Sequence, residues 1–140
     1  MPAPLALPVE KFIPKTGNLN LTFVLPAPNG CDLKCPGCFI RARGEHDLAH
    51  LDLSVEDYCD FVRQVAASGN LRCVSLQGYE PLLPETRPYT DQILELAAEL
   101  GIPSYLVTNG TNLEIAVETL VKHRISGLTV SLDAATALHH

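Results

Sequence analysis

Apolar positions along this chain fall into two alternating rhythms. "LNLTFVL" (19–25) is a short apolar run with β-branched and aromatic residues, stopped by Pro26 and the turn-forming "PNG", and it reads as a buried strand. From Ser54, an N-cap residue, Val55, Tyr58, Cys59, Phe61, Val62, Val65 and Ala66 recur at helical spacing. Glu56 and Asp57 suit the first turn of that helix, and Gly69 supplies its stop. The two rhythms then repeat. "RCVSLQG" (72–78) predicts a strand, and "YTDQILELAAELG" (89–101) a helix that turns Ile93, Leu94, Leu96, Ala97 and Leu100 inward. "PSYLVTNG" (103–110) predicts a strand closed by Asn-Gly, "NLEIAVETLVKHR" (112–124) a helix, and "GLTVSLD" (127–133) a strand.

The order β-α-β-α-β-α-β, with near-continuous apolar strands and short connections, predicts an α/β fold with a parallel sheet covered by helices. In such sheets chemistry collects at the carboxyl ends of the strands, whose loops share one rim. The segments selected by that rule are "PAPNGCDLKCPGC", "QGYEPLL", "TNGTN" and "SLDAA".

Composition narrows the function classes. The chain has 140 residues, 46% hydrophobic and 19% charged, the balance of one ordinary domain, and its net charge of −6 gives no general cationic field for nucleic acid. Residues 1–18 form a Pro-rich leader without a basic n-region or a long apolar run, so it is not a secretory signal. No segment approaches the roughly 20 apolar residues needed to span a bilayer. A cytoplasmic location with reduced thiols is expected. The odd count of five cysteines, three of them clustered, fits a disulfide scaffold poorly.

Cys31, Cys35 and Cys38 stand at C-x3-C-x2-C spacing on the loop after the first strand. Three thiolates suit a soft metal, and Pro36 and Gly37 break helix formation so that the loop curls. Structural zinc takes four closed ligands, usually in two pairs, and no second pair exists: Cys59 falls in the first helix and Cys73 at the start of the second strand, both most simply core residues. A four-iron cluster on three cysteines would keep one iron open to an outside ligand. Reduced thiols or a zinc loop are the bland readings of the same residues.

With these segments in view, the sequence resembles the radical SAM enzymes. "CDLKCPGC" has the family's cysteine spacing, "LQGYEPLL" looks like its Gly-Gly-Glu segment followed by Pro-Leu, and "YLVTNGT" and "LTVSLDA" resemble its third and fourth strand ends. The likeness covers roughly residues 19–133. Two departures stand out. Gly37 occupies the usual aromatic position before the last cysteine, with Phe39 just after it, and Gln77 replaces one glycine of the Gly-Gly-Glu segment.

The resemblance implies a parallel (βα)n partial TIM-type barrel, truncated here after about four strands, with residues 19–140 as the N-terminal portion of a radical SAM core domain. Its last strand would be an unpaired apolar edge, which suggests the front portion of a longer protein or a covering partner. The resemblance also implies that Cys31, Cys35 and Cys38 ligate three irons of a [4Fe-4S] cluster, and that S-adenosylmethionine chelates the fourth. One electron from an external flavodoxin- or ferredoxin-like reductant would then cleave the sulfonium, giving a 5′-deoxyadenosyl radical that abstracts hydrogen from a peptide, protein or small-molecule substrate.

Gln77, Gly78, Tyr79 and Glu80 would line the methionyl amino group; Ser131 and Asp133, with Thr108 and Asn109 behind them, are candidates for the ribose hydroxyls or carboxylate, and Phe39 joins the cofactor candidates. Each has a plainer reading. Glu80 reads as a loop charge, Ser131 and Asp133 as a helix cap, "TNG" as a turn, and "RARGEH" (41–46) as a solvated face. His139 and His140 carry no assignment. Two other function classes remain in play: an iron–sulfur electron-transfer or sensing module, and a zinc-stabilised α/β interaction domain.

Overall fold

The computed structural model of the chain describes residues 19–27, 30–38 and 53–132. Phe39, Asp133, the 41–46 stretch, the leader and the two terminal histidines lie outside the described residues. The elements follow the predicted order: β1 (Leu19–Val24), α1 (Val55–Ala67), β2 (Leu71–Gln77), α2 (Arg87–Glu99), β3 (Ser104–Thr108), α3 (Leu113–Lys122) and β4 (Gly127–Val130).

Local chemistry accounts for the boundaries. Ser54 caps α1 in a reciprocal box: its Oγ accepts from the Asp57 N–H at 3.2 Å, and the Asp57 carboxylate accepts from the Ser54 N–H at 2.8 Å. The helix α2 starts two residues earlier than the periodicity suggests, because Pro88 in its first turn has no intrahelical hydrogen bond to lose. It ends in a Schellman motif. Gly101, at φ +67°, donates to the Ala98 carbonyl, and the Ile102 N–H reaches the Ala97 carbonyl at 2.8 Å. Leu100 is the C-cap residue of that motif and turns outward, 44% exposed, contrary to its expected inward position.

Among the described residues, four strands form one sheet in the order β1-β2-β3-β4 with every pairing parallel. This is the partial (βα)n arrangement the sequence predicts. Val24 pairs with Gln77 and Thr108 with Val130, so the carboxyl ends of the strands share one rim. Val74, Leu76 and Leu106 from the sheet meet Val62, Ile93, Leu94 and Leu120 from the helices in one apolar core. Each such side chain contributes about 1.5–3 kcal/mol on full burial. Phe23, Tyr58 and Tyr89 stack edge-to-face, with centroids 5.3 and 5.7 Å apart, and pin α1 to β1 and α2. Cys59 is buried in this core, while half-buried Cys73 donates its thiol to Asn20 Oδ1 at 3.2 Å. β4 stops at Val130, three residues short of expectation; Leu128 and Val130 within it and Leu132 just beyond it are exposed. No described helix is long and apolar enough to cross a membrane.

Candidate functional site

Directly beyond the rim, the chain after β1 is held down by two buried apolar residues, Leu25 and Ala27. A turn closed by Gly30 N–H on the Ala27 carbonyl leads into the cysteines, and a second turn, Cys38 N–H to the Cys35 carbonyl at 3.2 Å, spans Pro36 and Gly37. The predicted curl is therefore present. Cys31, Cys35 and Cys38 are all half-exposed, none is in a disulfide, and all three line one cleft of about 500 Å³. Among the described residues no group of three or more Cys, His, Asp or Glu side chains is gathered tightly enough to enclose a single metal ion. The thiols share a cleft and do not meet at a point.

The far wall of the cleft comes from the turn after β2. Gly78, Tyr79 and Glu80 line it, whereas Gln77 stays in the strand paired with Val24. Of the two glycine positions in this segment, the one retained is the one geometry requires. Gly78 has φ +115°, and a Cβ there would lie 2.6 Å from Val24 Cγ1. Tyr79 is buried against Ala27, Cys31 and Cys38, which packs the β2 turn onto the cysteine loop.

Glu80 is not a loop charge. It is 1% exposed, and its carboxylate accepts three hydrogen bonds: from Leu82 N–H at 3.0 Å, Thr108 Oγ1 at 2.6 Å and Asn109 N–H at 2.7 Å. A buried carboxylate needs such donors, and these come from two different loops. Glu80 thus clamps the β2 turn to the end of β3. The Thr86 hydroxyl, buried below, donates to the Glu80 carbonyl at 2.8 Å and fixes the turn from its other side.

The β3 end faces the cysteines. Thr108 is buried; Asn109 lines the cleft and donates from Nδ2 to Asp32 Oδ1 at 2.7 Å and to Cys31 Sγ at 3.5 Å. Thr111 and Asn112 also donate to the Asp32 carboxylate. "TNG" is therefore both a turn, with Gly110 at φ +86°, and an anchor for the cysteine loop. Ser131, just past β4, lines the same cleft, and its N–H bonds to the Thr108 carbonyl at 2.8 Å.

Electrostatics follow from these contacts. Burial pushes the Cys31 thiol above its ordinary pKa, against the Leu33 backbone and the Asn109 amide, which pull it down. Metal binding there would release a proton. Burial also pushes Asp32 up, but donation from Thr111, Asn109 and the Cys31 thiol outweighs it and holds the carboxyl below its usual range. Asp32, Thr111 and Asn112 escaped the sequence reading. The available signal was an acid between two cysteines on one loop, opposite an Asn/Thr-rich loop on the same rim.

A family description, "Radical SAM superfamily", matches residues 25–140. Curated proteins give no match. Among solved structures, SuiB of Streptococcus suis bound to S-adenosylmethionine aligns at 26% identity and a TM-score of 0.61, covering 83% of this chain and 24% of SuiB. SuiB bound to its precursor peptide SuiA aligns at 28% identity and a TM-score of 0.57, covering 76% and 22%. The chain spans about a quarter of the length of those proteins. The parallel sheet, the three rim cysteines and the match across 25–140 lead to one assignment: this chain belongs to the radical SAM superfamily.

Proposed function

We propose that residues 19–140 form the front portion of a radical SAM catalytic domain, in which Cys31, Cys35 and Cys38 hold three irons of a [4Fe-4S] cluster and leave the fourth for S-adenosylmethionine. One observation carries this reading: three thiols line a single cleft together with the turn after β2 and the end of β3. The donor set fits the group. Three soft thiol donors line this one cleft, as a cluster with one open iron would need, whereas structural zinc takes four donors.

When bound, this pair supplies hydrogen abstraction started by one-electron reductive cleavage of S-adenosylmethionine. The chain's own residues do the placing. Gly78 to Glu80 form the wall available to the methionyl group: all three line the cleft, while the Glu80 carboxylate keeps the wall in register with Asn109. Ser131, which lines the cleft, and Asp133 are our candidates for the ribose hydroxyls or the carboxylate, Gln77 for the methionyl amino group and Phe39 for a further cofactor contact. An external one-electron reductant is required. A peptide is the substrate class proposed, in line with the SuiB structure that carries a precursor peptide.

The test is anaerobic reconstitution followed by incubation with dithionite and S-adenosylmethionine. Formation of 5′-deoxyadenosine, abolished by Cys→Ala at 31, 35 or 38, is the expected result. Zinc without iron would favour the interaction domain. A cluster that yields no 5′-deoxyadenosine in the full-length protein would favour the electron carrier.

A further inference from the structure

Asn109 makes contacts that neither cofactor binding nor the turn requires. Its amide orientation is dictated by its partners. The Thr111 N–H points at Oδ1, at 2.9 Å, which leaves Nδ2 to face the Asp32 carboxylate and Cys31 Sγ. Its backbone N–H is taken by Glu80. One residue thus joins the Glu80 clamp, the β3 end and the first cysteine of the loop.

We infer that Asn109 is a positioning residue for the iron–sulfur site: its side-chain amide is a hydrogen-bond donor to the Cys31 sulfur that raises the reduction potential of the bound cluster. This rests on the reading of the three thiols as cluster ligands. An N–H aimed at a ligating sulfur stabilises the extra negative charge of the reduced state, and hydrogen bonds to sulfur are among the protein's main controls on cluster potential. Asp32 serves the amide in turn. By accepting from the same Nδ2 at 2.7 Å, it fixes the plane in which the second N–H meets Sγ. Thr111 and Asn112 tether the loop through Asp32 without touching the sulfur, so tethering and tuning can be separated.

The experiment compares reconstituted parent, Asn109→Ala and Thr111→Val in redox titrations followed by EPR, without S-adenosylmethionine. Asn109→Ala should shift the midpoint potential to more negative values. Thr111→Val, which loosens the tether to Asp32 and keeps the backbone N–H that orients the Asn109 amide, should titrate with the parent. An unchanged potential in Asn109→Ala, or an equal shift in both variants, overturns the proposal. Should Asn109→Ala fail to retain iron, the parent alone decides. With asparagine side-chain amides labelled with 15N, pulsed EPR of the reduced cluster should show a 15N coupling, and its absence overturns the proposal. A parent chain that takes up no iron defeats the cluster reading itself, and this inference with it.

Discussion

Removing the Glu80 carboxylate should cost more stability than any other polar change on the rim. In Glu80→Ala, the Leu82 and Asn109 N–H groups lose their acceptor inside the structure, while the Thr108 hydroxyl is free to rotate. The buried Leu82 N–H left unsatisfied costs about 1–3 kcal/mol, and the part-buried Asn109 N–H, at the open cleft, adds less than that. A domain of this size has about 5–15 kcal/mol in all, which makes the loss a large share. Glu80→Gln keeps the shape and one acceptor oxygen, but turns an NH2 toward one of those donors and should lose about half as much. Urea unfolding of the metal-free chain by circular dichroism reads both values. The order parent, Gln, Ala in midpoint is expected. An Ala variant that unfolds with the parent would refute the clamp and leave Glu80 only a role toward ligand.

Three further outcomes follow from the geometry. Gly78→Ala forces a left-handed alanine against the Val24 side chain and backbone and should lower stability by about 1–3 kcal/mol in the same urea assay. Gly37→Tyr, at a position where a Cβ meets nothing within 4 Å, should unfold with the parent to within about 0.5 kcal/mol while placing an aromatic ring where the family usually has one. The Ser54 box holds the Asp57 carboxyl below its ordinary pKa, mainly through the Ser54 side chain. Its contribution is therefore complete above the unfolded value of about 4 and is lost as pH falls through the lower folded value; thermal unfolding of Ser54→Ala should show a flatter acid limb than the parent.

The fold was legible because its signals are local. Ser54 and Asp57 announce α1 within four residues, and Gly69 and Gly101 close helices in the left-handed conformation that favours glycine. Errors arose where a local rule had an exception. The periodicity starts α2 at Tyr89, although the first turn tolerates Pro88, and turns Leu100 inward, although it caps the helix. At the site, the cysteine spacing is a property of one short loop and needed no structure. Two of the three partners of the Glu80 carboxylate lie 28 and 29 residues away, and the Asn and Thr donors to Asp32 lie 77 to 80 away, so these contacts exist only once parallel pairing has set the loops on one rim.

A cluster on Cys31, Cys35 and Cys38 with one iron left for S-adenosylmethionine is read out by the EPR spectrum of the reduced, reconstituted chain before and after addition of S-adenosylmethionine. About four irons per chain and a spectrum that changes on addition are expected, since the cofactor would join the open iron. A four-iron cluster whose spectrum is identical with and without S-adenosylmethionine would contradict that reading.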